Sequence, residues 1–159
     1  MTRATERIGR SGEYLTCSVI ARETDTVTVL PHSSHTDVIF EWESKMYRCQ
    51  VKTVTHIEKS QKNWRFDIRK GNNATGRHYK KNEIDIIAMV NLKYQTVCFR
   101  SFSDCKTTQI TIKDEIMKNT DSIDNFREAM DAIISANGRQ IGISVHDEPL
   151  KKPKELAVI

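Results

Sequence analysis

Residues 37–54 read Asp37-Val38-Ile39-Phe40-Glu41-Trp42-Glu43-Ser44-Lys45-Met46-Tyr47-Arg48-Cys49-Gln50-Val51-Lys52-Thr53-Val54. Apolar, β-branched and aromatic residues alternate with polar ones on both sides of a polar break, the pattern of a β-hairpin. Centred between Ser44 and Lys45, with its turn at Glu43 to Met46, the hairpin sets Trp42 against Tyr47, Phe40 against Cys49 and Val38 against Val51. These six side chains share one apolar face. On the other face Ile39 stands across from Gln50, and Asp37 across from Lys52. One face is core; the other collects a carboxylate, an amide and an amine at one end.

That collection has a chemistry. Directly opposed Cβ atoms lie about 4.5–5.5 Å apart and diagonal ones about 7–8 Å, separations at which the Asp37 carboxylate and the Gln50 amide oxygen can both reach one small cation. The Val51 backbone carbonyl supplies a third oxygen. Mg²⁺ takes oxygen ligands at about 2.0–2.1 Å and keeps several waters, so two or three protein oxygens suffice. Mn²⁺ is expected to substitute. Lys52 would then stand beside the attacking water or the phosphate, as metal-assisted hydrolysis requires. The plainer alternative is a cross-strand salt bridge between Asp37 and Lys52 on an exposed sheet face.

Outward from the hairpin, Thr5 to Arg22 reads as a helix with Ile8, Gly12, Leu15 and Val19 on one stripe. Gly9 and Gly12 each cost that helix about 1 kcal/mol, which suggests a close approach to its backbone. Thr26 to Leu30 reads as a strand stopped by Pro31, and Trp64 to Arg69 as another ending near Gly71. After a loop over Asn72 to Gly76, the sequence predicts a short helix at Lys80 to Glu83. Ile84 to Val90 and Val97 to Phe102 then form a last strand pair. Ser122 to Ser135 carries Ile123, Phe126, Met130, Ile133 and Ile134 at helical spacing, with Thr120 or Asp121 as cap and Gly138 beyond the end. The expected fold is α/β, a central mixed sheet flanked by helices with an added C-terminal helix. Residues 1–145 form one domain, and 146–159 a mobile tail.

The bulk figures are compatible with this. Of 159 residues, 38% are hydrophobic and 29% charged, a folded rather than a disordered composition. No apolar run is long enough to cross a bilayer, and the N-terminus lacks a secretory h-region, so an intracellular, cytoplasmic protein is expected. Cys17, Cys49, Cys98 and Cys105 form no C-x-x-C pair and read as reduced thiols. The formal charge is only +4, but Lys59, Lys62, Arg65, Arg69, Lys70, Arg77, Lys80 and Lys81 crowd one stretch around a single acid, Asp67. Such a stretch could neutralise several phosphates, or simply be a solvated face.

The order of motifs adds to this. Gly9-Arg10-Ser11-Gly12-Glu13 in a first helix, Thr36-Asp37 opening a strand, and Gln50-Val51-Lys52 on its partner together resemble the PD-(D/E)XK nuclease superfamily. Within it, the group of the cyanobacterial tRNA-intron homing endonuclease is most similar, since it also carries Gln in the last motif. The segment Tyr79-Lys80-Lys81-Asn82-Glu83-Ile84-Asp85-Ile86-Ile87-Ala88-Met89-Val90 is similar to the same group. The resemblance implies a restriction-endonuclease-like core and hydrolysis of DNA phosphodiesters with one or two metal ions. It makes Glu13 a further ligand, direct or through water. Most members have Glu or Asp where this chain has Gln50, which removes one negative charge from the site.

The resulting expectation is a Mg²⁺-dependent endodeoxyribonuclease acting through Glu13, Asp37, Gln50 and Lys52. His35, Arg69, Lys70, Arg77, Lys80 and Lys81 are the candidate contacts to double-stranded DNA. Cutting two strands calls for two sites, hence a homo-oligomer, dimer or tetramer. A site-specific homing endonuclease leads; a Holliday-junction resolvase of the same superfamily and a catalytically decayed DNA-binding module are the alternatives.

Overall fold

The computed structural model describes residues 2–57, 62–70 and 78–140. Among them the order is α1 (Arg3–Ile20), β1 (Val27–Val29), β2 (Val38–Trp42), β3 (Lys45–Val54), β4 (Asn63–Asp67), β5 (Ile86–Asn91), β6 (Thr96–Ser101), β7 (Gln109–Lys113), α2 (Asp114–Asn119) and α3 (Ser122–Gln140). Five strands make a mixed sheet in the order β1-β2-β3-β5-β6, and β4 pairs with β7 in a separate antiparallel ribbon. Only β3 and β5 run parallel within the described sheet. The expected α/β architecture, a mixed sheet between helices, is the one observed.

Strand β5 lies mid-sheet with every residue from Ile86 to Asn91 buried, as a strand covered on both faces must be. On one face Val38, Phe40, Tyr47, Cys49 and Val51 pack with Ile20 of α1 and with Phe126, Ala129, Met130 and Ile133 of α3. The C-terminal helix therefore closes the core. On the other face Ile87, Met89 and Cys98 meet Trp64 and Phe66 of β4 and Ile110 and Ile112 of β7.

The hairpin departs from its expected register. Glu43 and Ser44 alone form the turn, both at positive φ (48° and 61°), and Trp42 pairs with Lys45, Phe40 with Tyr47 and Val38 with Cys49. Every β2 residue thus meets a partner two positions earlier than expected. Because side chains alternate with period 2, a slip of two leaves each on its assigned face. The apolar and polar faces were therefore read correctly, and the opposed pairs were not. A two-residue turn with both residues left-handed normally announces itself with Asn-Gly or Asp-Gly, and Glu-Ser does not.

Other differences are local. Residues 81–83 form one turn, closed by the Glu83 N–H on the Lys80 carbonyl (3.0 Å), rather than a short helix. The pair β5–β6 is not the last, since β7 and α2 follow. Helix α3 begins at the expected place, where Asp121 Oδ1 accepts from the N–H groups of Ile123 and Asp124 (both 3.0 Å). It continues through Gly138, which was expected beyond its end. All four cysteines are free thiols. No helix among the described residues is long and apolar enough to cross a membrane. The expected loop at 72–76, Arg77 and the tail from 146 lie outside the described residues.

Candidate active site

Strand β2 begins at Val38, and the residue before it, Asp37, turns its carboxylate onto β3. Oδ2 accepts from the Val51 N–H (2.8 Å) and from the Gln50 amide Nε2 (2.5 Å). Thr36 fixes the approach, its buried hydroxyl donating to the Cys49 carbonyl (2.9 Å). In this register Asp37 lies against Gln50, not Lys52, and the expected direct Asp37–Lys52 opposition is corrected accordingly. Burial pushes the Asp37 carboxyl up, opposed by the Val51 N–H and the Lys52 charge. Among the described residues both protein donors fall on Oδ2, and Gln50 Oε1 is buried without any partner. The Val51 carbonyl leaves β3 on the same edge as its N–H, beyond the first residue of β2.

Glu13 comes to the same place from α1. Gly12 allows this: a Cβ there would stand 1.9 Å from Thr53 Oγ1, so only glycine lets α1 lie this close to β3. The other glycine of the motif, Gly9, has open space around it. Glu13 is buried, and Arg10 Nη1 bridges its Oε2 (2.9 Å) to the Leu30 carbonyl (3.2 Å). Burial raises the Glu13 carboxyl, and the neighbouring Asp37 raises it further, while Arg10 and His32 pull the other way. Helix and hairpin thus bring two carboxyls close enough to feel each other.

Lys52 is held from a third direction. Its Nζ donates to the Arg69 carbonyl just past β4 (2.9 Å) and lies 5.7 Å from the centre of the buried Tyr79 ring. Burial lowers its pKa, against the Asp37 and Asp67 charges that raise it. Arg10, Tyr79 and the Arg69 carbonyl are parts of this constellation that sequence reasoning did not identify. Arg10 stood inside the quoted glycine motif. Tyr79 opened the quoted segment 79–90 but carried no signal for a contact with Lys52.

The basic candidates divide. Arg69 is bidentate to Asp67, whose carboxyl that contact pulls down to about 2. Lys70 pairs with Glu83 (3.1 Å). His35, Lys80 and Lys81 are exposed. Asp85, read as structural, accepts from the Arg48 backbone N–H (2.8 Å) and locks β3 to the start of β5.

The donor set suits a hard cation. It offers carboxylate, amide and carbonyl oxygens, among them the buried Gln50 Oε1, which has no protein partner among the described residues. Among the described residues no three His, Cys, Asp and Glu side chains gather as a metal cluster. Oxygen donors of this kind suit Mg²⁺, which keeps most of its waters.

No family model matches the chain, and no curated protein matches it. Among solved structures, a bacterial homing endonuclease, I-Ssp6803I, matches with a TM-score of 0.60 at 18% sequence identity, covering 86% of this chain and 97% of that one. The likeness is one of fold. It agrees with the expected α/β fold, a mixed central sheet flanked by helices.

Proposed function

We propose that a chain with the fold of a homing endonuclease and this hairpin-borne set of oxygens is a Mg²⁺-dependent endodeoxyribonuclease. The observation that carries the reading is the convergence of Glu13, Asp37, Gln50 and Lys52 from three elements, with the Gln50 oxygen buried and unpartnered. Asp37, Gln50 Oε1, the Val51 carbonyl and Glu13 would hold the ion. When bound, Mg²⁺ supplies Lewis acidity at the phosphate and makes a nearby water more acidic.

The rest falls to the chain. Asp37 is fixed by two donors on Oδ2, which leaves Oδ1 without a protein donor among the described residues. Lys52, anchored on the Arg69 carbonyl, presents its remaining N–H groups to the attacking water or to a phosphoryl oxygen. Arg10 sets the rotamer of Glu13. His35, Lys80 and Lys81, with Arg69, Lys70 and Arg77, would contact the backbone of double-stranded DNA. A homo-oligomer would supply the second site for the second strand.

Cleavage of supercoiled plasmid and of four-way junctions with Mg²⁺ and with EDTA tests this. Duplex cutting that EDTA stops, and that Lys52→Ala and Asp37→Asn each abolish with DNA binding retained, is the expected result. Cutting confined to four-way junctions would replace the homing reading by a resolvase. DNA binding without any metal-dependent cutting would leave a decayed binding module, the alternative that the neutral Gln50 keeps open.

A further inference from the structure

The β4–β7 ribbon has two unlike faces. Trp64 and Phe66 of β4 and Ile110 and Ile112 of β7 are buried under the central sheet. The alternate residues are all exposed: Asn63, Arg65 and Asp67 on one strand, Gln109, Thr111 and Lys113 on the other. The register sets them in direct pairs, Asn63 with Lys113, Arg65 with Thr111 and Asp67 with Gln109. The outward face is therefore a two-column array of side chains that donate or accept hydrogen bonds, with no apolar member.

Those residue types are the ones that read base edges. Arg and Lys pair with guanine O6 and N7, Asn and Gln with adenine N6 and N7, and Thr meets the thymine methyl. A two-stranded ribbon fits the major groove, and four residue steps of about 3.4 Å match roughly four base pairs. Cations flank the far end of the ribbon: Lys62, Lys93 and Lys113 line one open cavity with Asn63, facing the acids Asp114 and Glu115, three positive charges against two negative. Contacts to phosphate there would fix the register of the array on the duplex.

The near end joins the candidate active site. Asp67 is engaged by Arg69, and the Arg69 carbonyl holds Lys52 Nζ (2.9 Å). An element that reads bases at one end would thus set the distance from the recognised pairs to the cut bond.

We infer that the exposed face of the β4–β7 ribbon is the sequence-reading element, lying in the major groove with Arg65 and Gln109 as its principal base contacts. The inference rests on the proposed function for its ligand class, double-stranded DNA. It goes beyond that function in assigning where sequence is read.

The test is a library of randomised duplexes selected for binding to the full chain with Ca²⁺ replacing Mg²⁺, so that binding is scored without cleavage. Wild type should enrich a defined sequence. Arg65→Ala should lower discrimination at one base pair by roughly ten- to a hundredfold and leave the other positions unchanged. Arg65→Lys, which keeps the charge but not the fork, should relax the same position. Lys62→Ala and Lys93→Ala should weaken all sequences alike and shallow the salt dependence by about one unit each.

Unchanged base preferences in both Arg65 variants and in Gln109→Ala would overturn the inference, whether or not the protein cuts DNA. So would a wild type that enriches no sequence. Altered preference in a protein that never cleaves would support the ribbon and sink the nuclease reading, so the two fail separately.

Discussion

Gly12 of α1 faces Thr53 of β3 so closely that a Cβ on Gly12 would lie 1.9 Å from Thr53 Oγ1 and 2.9 Å from its Cβ. The next residue, Glu13, owes its position to that contact. Gly12→Ala should therefore push α1 off the sheet and withdraw the Glu13 carboxylate from Asp37. Overpacking of this kind costs about 1–3 kcal/mol, readable as a lowered midpoint in urea. Cleavage should fall more than stability does, because the helix can retreat and still fold. Gly9→Ala, with open space around it, should remove only a helix penalty and raise the midpoint slightly.

The same pair shows what the sequence could reveal and what it could not. Two glycines in one helix signalled a close approach, but nothing local separates Gly12, which needs it, from Gly9, which does not. Likewise, period-2 alternation assigned the faces of the hairpin, because a face depends only on parity. The opposed pairs depend on the turn, and Glu43-Ser44 adopts two left-handed conformations without the residues that usually mark them. Strand β7 offered only Ile110 and Ile112 as inward positions, too short an alternation to read until β4 is known to need a partner. Arg10 joins the site through an i,i+3 pair with Glu13 inside the quoted glycine motif, and Tyr79 through a tertiary contact with Lys52.

Tyr79 supports Lys52 with its ring, not with its hydroxyl. Nζ lies 5.7 Å from the ring centre, and the hydrogen bond of Lys52 goes to the Arg69 carbonyl. Tyr79→Phe should keep cleavage near wild type. Tyr79→Leu removes the cation–π contact, on the order of 1 kcal/mol, and should lower kcat several-fold with KM little changed. Steady-state cleavage of a short duplex checks both; equal losses in the two variants would point to the hydroxyl instead.

Asp114 ties the ribbon to the rest of the fold. Its Oδ1 accepts from Tyr94 OH and from Trp64 Nε1, both at 2.7 Å. The Tyr94 hydrogen bond, then that of Trp64, lowers its pKa from the ordinary value. A carboxyl lowered in the folded state adds stability that is complete above its unfolded pKa of about 3.9 and is lost as pH falls through the folded one. In a Trp42→Phe background, Trp64 fluorescence should therefore hold constant from neutral pH to about pH 4.5 and change below it. Asp114→Asn should flatten that acid limb.

The neutral residue at position 50 can be tested by restoring the charge. Gln50 Nε2 donates to Asp37 Oδ2 at 2.5 Å. Glutamate there has no N–H to give and sets a second carboxylate against the first. Losing a hydrogen bond to a charged group costs about 1.5–3 kcal/mol, so Gln50→Glu should lower the Tm in EDTA. With Mg²⁺ the sign reverses, since an added carboxylate strengthens the hold on the cation. The Mg²⁺-induced rise in Tm should be larger in Gln50→Glu than in wild type and should saturate at lower Mg²⁺. A variant destabilised in EDTA that gains nothing from Mg²⁺ would mean that position 50 faces no ion, and that its buried oxygen has another explanation.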